Sequence, residues 1–142
     1  MRAEDIIAHH GLQPHPEGGW YRQTWVADTP DGERPSGTAI LFLLRAGERS
    51  HWHRVDATEI WHFHAGAPLT LSMAADSVGP AVPHILGQDP LRHRPQAIVP
   101  PHHWQAAETT GAWSLVGCTV SPGFRYEGFE LAPAGFGIPG PD

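Results

Sequence analysis

Apolar and polar positions along this chain alternate in short runs that glycine and proline interrupt every few residues, and the helical period occurs once, at the start. A helix is predicted over 3–10: Glu4 and Asp5 suit the positive end of its dipole, and Gly11 can take the left-handed cap. The stretch Pro14-His15-Pro16-Glu17-Gly18-Gly19 reads as a loop, since neither prolines nor paired glycines support a ladder. Strands are predicted at 20–26, 37–45, 50–55, 59–65, 68–75, 82–86, 96–99, 103–108, 112–120 and 124–130. The Gly- and Pro-dense segment 133–142 is expected to lie irregular on the surface. This spacing indicates an all-β sandwich or barrel, and the 142 residues suit one domain with one core.

Composition removes several classes of function. The net charge of −6, with nine arginines as the only basic residues besides histidine, leaves no dense basic face for nucleic acid. The absence of lysine excludes a side-chain Schiff base. No apolar run approaches the roughly 18 residues of a membrane span, and no signal-peptide core is visible, so a cytoplasmic protein without membrane contact is expected. The lone Cys118, in the run Leu115-Val116-Gly117-Cys118-Thr119-Val120, reads as a buried small residue.

Candidate chemistry concentrates between Gly47 and Gly66, which hold four of the eleven histidines. Imidazole is both a common metal ligand and the side chain that titrates near neutrality. Strand parity places His51, His53 and Val55 on one face of 50–55. In 59–65 it sets Glu59, Trp61 and Phe63 against outward-facing His62 and His64. A hairpin through 56–58 would bring His53 and Glu59 together, with Trp61 and Phe63 as apolar walls. Such a pair serves as a base with its orienter, as two ligands of one cation, or as a buried hydrogen bond with no further role. Trp20, Trp25, Trp52, Trp104 and Trp113 are expected in the core or an interface.

The register Gly47, His53, Val55, Glu59, Gly66 resembles the first motif of the cupin superfamily, with Val55 where that pattern has histidine. Nearly the whole chain is similar to the cupin family long catalogued as a domain of unknown function. The likeness is carried by residues 12–22, 38–40, 50–54, 59–66, 104–107 and 114–124. The resemblance implies a double-stranded β-helix, or jelly roll, with a short N-terminal helix, a pocket at one barrel mouth and pairing as a homodimer. It also implies two histidines and a glutamate in the first motif of metal-binding members, and a histidine five residues after the proline of the second. Here Val55 and Gln105 stand at two of those four positions, leaving His53 and Glu59. His51 and His103 share strand parity with His53 and Gln105 and are candidates to complete a site.

Three functions are therefore expected of one small-molecule pocket. The first is a metal-independent isomerase or epimerase on a polar metabolite or sugar nucleotide. Its His53 would be the base, Glu59 the orienter and Gln105 a donor to oxyanion charge, with Trp61, Phe63 and His103 near substrate. Arg22, Arg45, Arg49 and Arg54 are its candidate diphosphate partners. In the second, His51, His53, Glu59 and Gln105 hold a divalent metal (zinc, manganese, nickel or iron) for oxygenase or isomerase chemistry. The third is a binding module without turnover.

Overall fold

Two antiparallel sheets face each other, and each buries the side chains that period-two patterning turns inward. The structure, a computed structural model, describes residues 1–142. Helix α1 (Ala3–His10) precedes strands β1 (Gln13–Pro14), β2 (Trp20–Val26), β3 (Thr38–Arg45), β4 (Ser50–Val55) and β5 (Thr58–Gly66). Strands β6 (Leu69–Ala74), β7 (Val82–Leu86), β8 (Gln96–Val99), β9 (Trp104–Thr109), β10 (Trp113–Ser121) and β11 (Phe129–Leu131) complete the order. One sheet runs β1-β2-β3-β10-β5-β8 and the other β11-β4-β9-β6-β7, the closed double-sheet arrangement of a jelly roll.

Strand β3 shows why some strands read as continuous apolar runs. Phe42 and Leu44 point into the main core with Trp61, Leu71 and Val116, while Leu43 packs outward beneath Ala3 and Ile6 of α1. Both faces are covered, so alternation disappears. Phe42 and Trp61 meet edge to face with centroids 5.8 Å apart and fill one end of the barrel. At the other end the inward residues are short, Thr38, Ile40, Val55, Cys118 and Val120, and a hollow remains.

Two expectations need correction. The predicted strand 124–130 forms only at Phe129–Leu131; before it lies a single 3-10 turn at Tyr126–Gly128. The irregular stretch is clamped instead. Arg34 Nε donates to the Gly123 carbonyl at 2.7 Å, and Arg34 and Arg125 both pair with Asp56, at 2.7 and 3.1 Å. These bonds turn Phe124 and Tyr126 toward the hollow. The C-terminal segment is irregular, as expected, but it is also a strap: Ile138 is buried and Phe136 stacks on Trp104 at 5.1 Å, covering Trp52. Trp25 does not join a core and is 54% exposed. No helix is long and apolar enough to cross a membrane.

Candidate functional site

The hollow is a cavity of about 140 Å³ at the barrel mouth, and the expected pair His53 and Glu59 both line it. A third chemical group arrives from outside the barrel strands. The turn between β1 and β2 is closed by His15 N–H donating to the Gly19 carbonyl at 2.9 Å and Gly18 N–H to the His15 carbonyl at 2.9 Å. It is docked onto β4 by His51 N–H donating to the Glu17 carbonyl at 2.8 Å. Gly18 has φ +108, and a Cβ there would collide with the Arg49 carbonyl, so the close docking requires glycine. This turn delivers the Glu17 carboxylate to His53, with Oε2 2.9 Å from Nε2.

Both nitrogens of the His53 ring are engaged, since Nδ1 lies 2.8 Å from the His51 carbonyl. A ring facing a carbonyl on one side and a carboxylate on the other is held as imidazolium. Burial pulls its pKa down, but the Glu17 charge, its hydrogen bond and the Glu59 charge outweigh burial and push it up to about 9. Burial likewise opposes ionisation of Glu17, yet His53 holds that carboxyl below its ordinary range. His15 is shifted down by burial, against the pull of Glu17. Its Nδ1 accepts the Glu17 backbone N–H at 3.1 Å, which fixes the proton of the neutral ring on Nε2.

Glu59 behaves differently. Gln105 Nε2 donates to its Oε1 at 2.8 Å, and Trp61 Nε1 donates to Gln105 Oε1 at 2.7 Å, which sets the amide's direction. Burial, with the nearby Glu17 charge, raises the Glu59 pKa to about 7 despite opposition from His53. The Cys118 thiol is a further hydrogen-bonding neighbour of this carboxyl. Burial and the carboxylates on Glu59 and Glu17 push that thiol well up, so it stays protonated.

The other expected site residues are placed as follows. Gln105 and Trp61 are buried behind Glu59 rather than lining the cavity, and Phe63 packs against the main core. His103 precedes β9 in a turn closed by its own N–H on the Pro100 carbonyl, and borders a separate surface depression. His51 faces away from the cavity, its Nε2 2.9 Å from the Pro133 carbonyl. The cause is a bulge. Ser50 pairs with Ala107 and His53 with Gln105, so β4 carries one residue more than β9 between the two pairs, and parity reverses there. His62 and His64 keep their outward direction, His62 Nε2 lying 3.1 Å from Thr119 Oγ1.

Glu17, His15, Tyr21, Phe124 and Tyr126 line the cavity without having been assigned a role from sequence. The available signal was an acid and a histidine inside a Pro- and Gly-bounded stretch too rigid to be a casual loop.

The donor set expected from the sequence does not assemble for a transition metal. His53 has no free ring nitrogen, both ends of the Gln105 amide are committed, Val55 offers only methyl groups, and His51 points away. No three His, Cys, Asp or Glu side chains converge elsewhere as a ligand set. The arginines expected for a diphosphate are also elsewhere: Arg45 pairs with Glu48 and Glu4, Arg54 with Glu130, Arg22 reaches the His10 carbonyl, and Arg49 lies over Trp52.

A double-sheet barrel with a polar hollow at one mouth defines the cupin class, and the chain belongs to the family described as Cupin superfamily (DUF985), matched over residues 4–132. An X-ray crystal structure of a protein from Shewanella oneidensis is 41% identical, with a TM-score of 0.86 over 93% of this chain and 85% of that one. A hypothetical protein from Leishmania major is 31% identical, with a TM-score of 0.82 over 93% and 88%. Oxalate decarboxylase from Bacillus subtilis, 13% identical with a TM-score of 0.63 over 83% of this chain and 29% of that one, shares the fold alone. No curated protein matches the sequence.

Proposed function

We propose that this protein is a small-molecule enzyme of the isomerase or epimerase kind, working by proton transfer at Glu59. The observation that carries the reading is geometric: a buried carboxyl at the wall of a cavity, held 2.8 Å from Gln105 Nε2 and beside a fixed imidazolium, with burial raising its pKa to about 7. A general base is most effective when its pKa lies near the working pH, and such a group contributes about 10²–10⁴-fold.

In this scheme Glu59 removes a proton from a carbon next to a carbonyl. The C–H electron pair moves into the adjacent bond and raises negative charge on the carbonyl oxygen, which the buried His53 charge and the Tyr21 and Tyr126 hydroxyls favour. The carboxylic acid then returns the proton to the same carbon, on the original face or, once the enolate has turned over in the hollow, on the other, so atoms and electrons balance without a co-reactant. His53 is a charge-holding residue here rather than the base, because neither nitrogen is open to substrate.

The test is deuterium incorporation from D₂O into a panel of small carbonyl compounds, read by NMR. Wild type is expected to exchange at least one of them and Glu59→Gln to lose that exchange about a hundredfold or more. An equal rate in the variant would overturn the assignment. A second reading, binding without turnover, draws on the same closure of His53, which leaves one titrating group facing the hollow; a compound that stabilises the fold but never exchanges would select it.

A further inference from the structure

We propose that the cavity selects a ligand with a positively charged head, a small amine, seated between Glu17, Glu59 and the aromatic rim of Tyr21, Phe124 and Tyr126. This names the substrate class of the site proposed above and rests on that reading.

The argument begins with charge. Two carboxylates, Glu17 and Glu59, line one hollow and are each more than nine-tenths buried. Their one cationic partner is His53, and its contact is made with Glu17 Oε2. Besides His53, the Glu17 carboxyl has the Ser50 hydroxyl as a neutral neighbour, and its Oε1 lies 3.9 Å from His15 Nδ1, an acceptor already occupied by a backbone N–H. Neither neighbour brings a positive charge to the carboxylate. Around Glu59 the groups from every packed element are Glu17 and His15 on the turn, Tyr21 on β2, His53 on β4, Cys118 on β10 and Tyr126 beyond it. No arginine is among them.

A buried pair of carboxylates with one cation is short of positive charge, and an ammonium supplies it together with three N–H donors. The rim adds a second attraction. Aromatic faces hold a cation by their quadrupole, and the rim rings are fixed: Tyr21 packs on His15 at 4.5 Å, while Phe124 and Tyr126 pack together at 5.1 Å. An anionic ligand would meet two like charges, and a neutral one would leave the free carboxylate oxygens without strong donors.

The test compares n-butylamine, n-butanol and butyrate, alike in size and different in charge, by calorimetric titration and thermal shift at pH 8. The amine is expected to bind wild type at least tenfold more tightly than the alcohol, and butyrate not to bind. In Glu59→Gln the amine-to-alcohol ratio should fall by about tenfold, whereas mere structural damage would weaken both ligands alike. Alcohol or butyrate binding as well as the amine, or an unchanged ratio in the variant, would overturn the proposal. The exchange experiment reads turnover and this one reads charge preference, so the two proposals fail separately.

Discussion

Glu17 Oε2 and His53 Nε2 lie 2.9 Å apart, and the carboxylate comes from a turn while the imidazole comes from a barrel strand. Both side chains are almost wholly buried. Removing one partner strands the other, so Glu17→Ala or His53→Ala is expected to cost about 3–5 kcal/mol, measured by urea unfolding at pH 7. The double variant should cost clearly less than the sum of the two, because no orphan charge remains.

Stability should depend on pH in a way set by three groups. The Glu59 pKa is raised to about 7, so the folded state binds that proton more tightly and stability falls as pH rises from about 4.5 to 7. His53, raised to about 9, contributes fully below about 6.5 and loses its contribution as pH climbs through 9. Glu17, shifted down, contributes above its ordinary range and loses this as pH falls. Glu59→Gln is expected to flatten the segment between about 4.5 and 7 in denaturation curves taken across pH. A slope that persists there would assign it to another group.

Trp61 acts on Glu59 through Gln105. Its indole N–H fixes the amide oxygen and so turns the amide nitrogen to Glu59. Trp61→Phe frees the amide to rotate, and is expected to cost about 1–3 kcal/mol and raise the Glu59 pKa further. Carbon-detected NMR titration of the Glu59 carboxyl reads the shift directly, which a loss of packing alone would not produce.

Asp56 holds Arg34 and Arg125 and through them the segment carrying Phe124 and Tyr126. The bridges are partly open to water, so Asp56→Asn is expected to cost only about 1 kcal/mol. The larger effect should be faster amide exchange across 121–128 and weaker ligand binding, read by hydrogen-exchange mass spectrometry and titration.

Much of this architecture can be read from the chain. The first helix, most strands and the inward pairing of Glu59 with Trp61 follow from capping residues and alternation. The same rule misplaces His51 because one extra residue in β4 reverses the faces, and a bulge leaves no mark in an alternation pattern. His103 fails for a related reason: parity counts only inside a strand, and the turn ends just after it. Glu17 escapes because nothing local reveals where a docked turn will land. Phe124 and Tyr126 look like strand residues until Asp56 and its two arginines claim the backbone between them.

Because the turn that carries Glu17 is fastened to β4 through His51 N–H and the Glu17 carbonyl, occupancy of the hollow is thermodynamically tied to the seating of the chain's first twenty or so residues. Anything gripping the Glu17 carboxylate from inside also latches that segment from outside. Ligand affinity should thus be legible at a distance, as slowed deuterium uptake along residues 12–22, and substitutions that loosen the latch should weaken binding without touching the barrel wall.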